Sequence, residues 1–137
     1  MTKLPNLLAQ LESSLSCLVV SALMIFLTIL LFTKLTKYND WEEIAKGNLA
    51  AALALGGKVF GVANIMRFAI TTKNNAFDVI FWGMVGLALQ MLIYLAFEWL
   101  TPHLDVNRSI AQGNVAVGFM SLAFSVAFSY LIGASIS

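Results

Sequence analysis

The sequence predicts an all-α membrane protein, four transmembrane helices built from two parallel two-helix repeats, within a single domain covering residues 1–137. Three observations carry this. Hydrophobic residues make up 60% of the chain and charged residues only 11%, whereas soluble domains carry about 25% charged residues. Four apolar stretches, at about 14–36, 48–71, 76–100 and 113–136, each supply the roughly 20 residues a helix needs to cross a hydrocarbon core of about 30 Å. Finally, IAKGN at residues 44–48 returns as IAQGN at residues 110–114, sixty-six positions later and again at the mouth of an apolar stretch. A spacing of that kind points to internal duplication. Repeat one runs over about 14–71 and repeat two over about 76–136. Two spans per repeat return the chain to its starting side, so the copies are parallel and their axis lies along the membrane normal.

The first span follows MTKLPNLLAQLESSLSC. A cleavable signal has an apolar region of about 7 to 15 residues and then a small-residue cleavage site. Leu15 to Phe32 is longer and runs into Thr33 and Lys34, so the span is read as a retained anchor. Cys17 is the single cysteine and precedes the apolar run, which excludes an internal disulfide and argues for a buried small hydrophobe.

After the first span the chain turns polar at TKYNDWEEIAKGN. Asp40 with Glu43 three residues on predicts a capped helix starting near Trp41 and running on into span two, with Trp41 at the interface. The second copy places Asp105 as the cap, and Pro102 fits the break after span three. Gly47 and Gly113 are expected to admit a neighbouring backbone. Asn48 and Asn114 read either as a polar gate or, more simply, as interhelical hydrogen-bond fasteners.

Span two carries a small-residue ridge, Ala50, Ala54, Gly57 and Gly61, continued by Asn64, at helical spacings that share one face. Gly57 and Gly61 form the small-xxx-small pattern that permits close crossing, inside a bundle or between copies of the chain. Span four offers Gly118, Ser121, Ser125 and Ser129 in the same manner.

Lys58 is the costly residue. Counted from Gly47 at about 1.5 Å per residue it lies about 16 Å deep, near the midplane, where a lysine costs about 2.5 to 3.5 kcal/mol on insertion scales. Gln90 in span three comes to a similar depth and begins a face continued by Tyr94 and Glu98 and preceded by Gly83 and Gly86. Lys58, Gln90, Tyr94 and Glu98 are therefore expected to form an intramembrane polar strip. Its sharp reading is a path for an ion or small polar solute; its plain reading is a lysine stretched toward the interface and a glutamate among headgroups beside Trp99. An offset of sixty-six sets Phe124 against Lys58, so the charge lies outside the duplicated plan.

Arg67 and Asp78 flank the second loop and predict an anchoring ion pair of modest strength. His103 stands alone, without a second ligand at metal spacing. No nucleophile with its base, phosphate-cradling loop or carboxylate pair is apparent. The expectation is thus a protein that is not an enzyme, with no catalytic residue, no cofactor and no metal. A net charge of +1 gives no footprint for nucleic acid. Lys34, Lys37, Lys46 and Arg108 border the first and third loops, against Lys3, Arg67 and Lys73 on the other side. This small excess orients those loops to the cytoplasm and both termini outside.

Taken in order, Trp41 and Ile44, then Gly47, Asn48, Ala50 and Ala51, then Gly57 and Gly61, Trp82 with Gly83, Gln90, and the second Gly113, Asn114 and Ala116 make the chain resemble the YjfL family of small bacterial inner-membrane proteins, a domain of unknown function. The match covers nearly the whole chain. It implies four transmembrane helices and the bacterial cytoplasmic membrane, and no established activity. It also implies an envelope-maintenance setting, with partners among membrane-stress proteins. Two positions depart from the family pattern: Lys58 stands at an ordinarily uncharged site, and Ile65 where members carry proline. The functional expectation is an oligomeric structural or docking component whose partners are lipid and its own copies through the small-residue faces. The alternative is a small oligomeric channel or transporter for an ion or polar solute.

Overall fold

The computed structural model describes residues 3–73 and 75–137. Four long helices carry the apolar stretches: α1 (Lys3–Leu35), α3 (Leu49–Thr72), α4 (Ala76–Leu100) and α6 (Val115–Ile136). All four are long and apolar enough to cross a membrane. Two short helices, α2 (Asp40–Ala45) and α5 (Val106–Ala111), precede α3 and α6, and a 3-10 turn over Pro102–Leu104 follows α4. No strand occurs among the described residues.

Helix α3 is the hub and packs against α1, α4 and α6. Its closest partner is α6, because glycines remove the side chains that would hold the two backbones apart. A Cβ at Gly57 would lie 2.6 Å from the Cα of Leu122, and one at Gly118 would lie 2.6 Å from the carbonyl oxygen of Ala50. The small-residue ridge is thus consumed within the chain: Ala50, Ala54, Gly57 and Gly61 are all buried. So are Gly118, Ser121, Ser125 and Ser129 on the facing helix. Self-association through these faces, expected from the sequence, has no free surface to use.

The entry into α3 also differs from expectation. No single helix runs from Trp41 into the span. Instead α2 stops at Ala45 and the chain turns at Gly47, whose φ of +88° lies in the left-handed region that favours glycine. Gly47 N–H donates to Ile44 O and Asn48 N–H to Glu43 O, both at 2.9 Å. This paired closure satisfies the last carbonyls of α2. Asn48 then begins the next helix, its side chain accepting from Ala51 N–H at 3.2 Å. The second corner has the same geometry: Gly113 has φ +83°, Gly113 N–H donates to Ile110 O and Asn114 N–H to Ser109 O, and Asn114 caps α6 through Val117 N–H. Nothing lies within 4 Å of a Cβ built on Gly47, so backbone conformation, and not the close approach expected, explains glycine there.

The cap of α2 is Asn39, which accepts from Glu42 N–H. Asp40, expected in that role, lies one residue inside the helix and is buried, bonded to the hydroxyl of Thr36. Asp105 does cap α5, accepting from Arg108 N–H. Helix α3 passes Ile65 unbroken, as the absence of proline there allows.

Helix α1 starts at Lys3, well before the span expected from about residue 14. At 1.5 Å per residue its 33 residues extend roughly 50 Å, well beyond the hydrocarbon thickness. Only its second half carries buried residues, Met24, Thr28 and Phe32. The first turns run past the bundle, with Leu4, Leu7, Leu8, Leu11 and Leu15 each more than half exposed.

Candidate functional site

Lys58 lies in the middle of α3 and is 2% exposed. Its ammonium turns back toward the first loop, donating to Ala54 O at 3.1 Å, one turn earlier, and to Ser121 Oγ of α6 at 3.3 Å. Two rings face the same nitrogen. Nζ stands 4.4 Å from the centroid of Tyr94 and 5.7 Å from that of Phe32. The rings themselves meet edge to face, 5.7 Å apart. Each of the three helices around α3 thus contributes one contact: Phe32 from α1, Tyr94 from α4 and Ser121 from α6. The attraction of an ammonium to aromatic faces strengthens when both are removed from water. No carboxylate reaches it, since among the described residues the only ion pairs are those of Lys46 with Glu42 and Glu43.

Of the expected strip, the structure joins three members. Tyr94 places its ring against Lys58 and donates its hydroxyl to Glu98 Oε1 at 2.8 Å. The fourth, Gln90, points elsewhere: its amide donates to Ser125 O at 2.9 Å, while its own carbonyl oxygen is buried and meets no donor. Gln90 is 2% exposed and fills the space left by Gly61, where a Cβ would lie 2.6 Å from Gln90 Nε2.

Glu98 ties the strip to the third loop. Its Oε1 also accepts from the side chain of Asn107 in α5, whose own oxygen accepts from Lys37 N–H at 3.3 Å. A polar cleft of about 270 Å³, lined by Lys37, Glu98, Thr101, Asp105 and Asn107 among others, opens beside this junction. Below it, between α4 and α6, runs an apolar groove of about 560 Å³ lined by Phe97, Met120, Phe124 and Phe128 with neighbouring residues. Phe124, the counterpart of Lys58 by offset, faces that groove.

Asp40 and Tyr38 complete the loop side of the site. Burial pushes the Asp40 carboxyl above the usual carboxylate range, opposed by the Thr36 hydrogen bond and the field of Lys58. Burial likewise raises the Tyr38 phenol, helped by the nearby Asp40, Glu98 and Glu43 carboxylates.

Asn48 makes more than a cap. Its amide donates to Ile110 O at 2.8 Å and to Glu43 Oε2 at 3.0 Å, fastening the first corner to the end of α5. Asn114 is exposed and caps α6. The expected Arg67–Asp78 pair does not form: Arg67 donates to Asn64 and stacks on Phe68, and Asp78 bonds Asn75. With a short helix cap to satisfy Asp78 and an amide one turn from Arg67, local partners displace the longer contact. His103 is exposed in the 3-10 turn. Phe32, Asp40 and Asn107 were missed as members of the Lys58 site. Phe32 lies in a span without polar markers, and the loop residues read as ordinary interface composition.

Four apolar helices, a tightly crossed central pair and a polar core closed inside them define a multi-pass α-helical membrane protein. The chain belongs to the family described as Domain of Unknown Function (DUF350), whose model matches residues 6–136. It is similar to the UPF0719 transmembrane protein YshE of Bacillus subtilis (strain 168), 42% identical over 117 residues, which cover 85% of this chain and 86% of that one. Similarity extends to the UPF0719 inner membrane protein YjfL of Escherichia coli (strain K12), 29% identical over 101 residues, 73% and 75% of the two chains. A UPF0719 transmembrane protein of Aquifex aeolicus (strain VF5) is 25% identical over 86% of this chain and 47% of its own length. No solved structure matches. None of these names states an activity.

Proposed function

We propose that the protein is a non-enzymatic component of the bacterial cytoplasmic membrane that works by association, as a homo-oligomeric structural or docking element in envelope maintenance. The observation that carries this reading is the outward reach of α1. Leu4, Leu8, Leu11, Leu15 and Leu18 follow one another at spacings of four and three, the pattern that seats one helix against another as knobs in holes. These leucines are each more than half exposed, and the buried residues of α1, Met24, Thr28 and Phe32, all lie further along the helix, so the chain's own helices leave the stripe open. Because α1 is one continuous helix, its first turns continue the line of the span and do not lie flat along the membrane. A second copy inserted in the same direction presents the same stripe at the same height. The duplicated-hairpin plan and the orientation with both termini outside belong to this proposal; the shared corner geometry and the lysine and arginine distribution support them.

Disulfide cross-linking tests the reading in native membranes, using Leu11→Cys on a Cys17→Ser background. A covalent dimer is expected from Leu11→Cys and none from Phe60→Cys, an exposed position on α3. Absence of dimer from both would remove self-association through α1.

A second reading, an oligomeric channel or transporter for an ion or small polar solute, is favoured by one observation: two polar side chains, Lys58 and Gln90, are held at mid-membrane depth, one without a carboxylate and the other with an unmatched oxygen. Such groups are costly in lipid and mark solute paths in other proteins. Both are packed against protein, so a pathway would have to form between copies. Flux into proteoliposomes, compared between wild type, Gln90→Leu and Glu98→Gln, decides it; rates equal to empty vesicles across a broad ion and metabolite panel would dismiss it.

A further inference from the structure

We propose that Lys58 is a reversible proton-binding site inside the membrane, in exchange with the polar cleft beside Glu98 and closed toward the opposite side. The proposal goes beyond the association reading and does not depend on it.

Three features of the geometry carry it. The first is that both states of the amine have support in the structure. As an ammonium it has two acceptors, Ala54 O and Ser121 Oγ, and the faces of Tyr94 and Phe32. As a neutral amine it keeps the Ser121 hydroxyl as a partner and the two rings as neighbours, and with no carboxylate in contact it leaves no orphaned anion behind. Lysine with its compact, strongly hydrated head changes protonation readily in such places, where arginine does not. The second feature is direction. The side chain runs back toward the first loop, its nitrogen bonded to the carbonyl of Ala54 in the preceding turn. Toward the second loop Val62, Ile65 and Met66 of α3, each at most 1% exposed, and Leu87 of α4, 2% exposed, pack the interior. The polar groups on that side, Gln90, Asn64 and Ser129, are turned to partners on α6 and to one another, none of them bonded to Lys58. The third is a way in. Tyr94 lies against Lys58, its hydroxyl meets Glu98, and Glu98 lines the cleft with Asn107 and Lys37. The hydrogen bonds that Tyr94 and Asn107 share on a single Glu98 oxygen act as the latch between cleft and core.

The titratable groups around Lys58 are few. From α4 they are Tyr94 and Glu98; from the first loop and α2, Tyr38 and Asp40. The facing residues of α1 and α6, Phe32 and Ser121, do not titrate. The step itself is simple: a hydronium in the cleft gives its proton to the lone pair on Nζ, one O–H bond breaking as one N–H bond forms, and the reverse step returns it to water.

The test uses the full chain in lipid nanodiscs with 15N-labelled lysine. The Lys58 resonance is assigned by its loss in Lys58→Met. Its Nζ shift is expected to move with pH through a midpoint separate from the other lysines, and Glu98→Gln is expected to displace that midpoint while the Lys3 and Lys73 signals stay put. A Lys58 signal that holds one charge state over the whole range in which the protein stays folded would overturn the site. A midpoint unmoved by Glu98→Gln would overturn the route. Sidedness is read from Lys58→Cys in proteoliposomes with an impermeant thiol reagent, on the Cys17→Ser background. Labelling is expected from the first-and-third-loop side only and to rise at least tenfold when Tyr94→Phe or Asn107→Ala opens the latch. Equal labelling from both sides, or rates insensitive to both changes, would contradict it. Should Lys58→Cys fail to fold, the Glu98→Gln titration of the native lysine still decides.

Discussion

The two glycine–asparagine corners share one backbone geometry, yet the helices that follow them have opposite fates. Gly47 and Gly113 close α2 and α5 in the same left-handed conformation, and Asn48 and Asn114 cap α3 and α6 with the same bond. Eleven residues beyond each glycine the correspondence ends: Lys58 is sealed at 2% exposure, whereas Phe124 is 37% exposed on the wall of a groove. The corners are made by local chemistry, a positive φ and a side-chain cap. What a position deeper in the span can hold is decided by neighbours. Helix α3 is covered by α1, α4 and α6, so it can shelter a lysine; α6 has an open side, and an aromatic residue occupies the corresponding place.

Disturbing the α3–α6 crossing has the largest expected effect. Gly118→Leu drives a side chain into the backbone of Ala50 and is expected to cost at least the ~1 to 3 kcal/mol of core overpacking, with loss of folded protein in detergent melts. Gly56→Ala, where a Cβ meets nothing within 4 Å, should melt like wild type.

Exchanging the two interior residues comes next. Phe124→Lys puts a charge on an open face and should oppose insertion by about 2.5 to 3.5 kcal/mol, read as reduced membrane integration. Lys58→Met, an apolar replacement of similar length in a covered site, is expected to leave unfolding unchanged or raise the melting temperature, as replacements of buried charge often do. Equal losses from both would mean that α3 is not the sheltered helix.

The corners themselves should respond alike to Gly47→Ala and Gly113→Ala, each losing about 1 to 2 kcal/mol for a left-handed alanine, measured by chemical unfolding in detergent. Asparagine removal should then separate them. Each of Asn48→Ala and Asn114→Ala forfeits a cap worth about 1 kcal/mol, but Asn48→Ala also loses the bond to Ile110 O and should cost about 0.6 kcal/mol more.

The smallest effect lies in pH. Asp40 is buried where the second corner, sixty-six residues on, carries the buried Val106. Because its carboxyl is raised, the folded state holds the proton more tightly than the unfolded state, so stability falls as pH rises from the ordinary carboxylate value to the raised one. Asp40→Asn should flatten that slope in unfolding curves.

Much of this was legible beforehand because lipid enforces it. Spans α3, α4 and α6 fall within two residues of the apolar stretches at both ends, since backbone groups in hydrocarbon must bond within their own helix. The start of α1 was not legible by that route, for helix beyond the membrane leaves no trace in a hydrophobic run; its signal was the leucine spacing. The separate short helices were readable in principle from glycine followed by asparagine, a stop and then a start. The misplaced cap had a remedy in the spacing of the two glycine–asparagine motifs, because an offset of sixty-six aligns Asp105 with Asn39 and not with Asp40. Lys58 could be marked as costly from its depth, but its cage could not be foreseen. Phe32 and Ser121 come from other helices, and which faces of four apolar helices meet is set by glycine contacts that only the folded arrangement reveals.

Assembly through the projecting half of α1 is tested most plainly by native mass spectrometry from lipid nanodiscs. Wild type is expected to leave the membrane as two or more chains, and Leu8→Glu with Leu15→Glu to leave as one while keeping wild-type helicity. A wild-type protein found as a single chain at every loading, or a doubly substituted one that stays assembled, would contradict it.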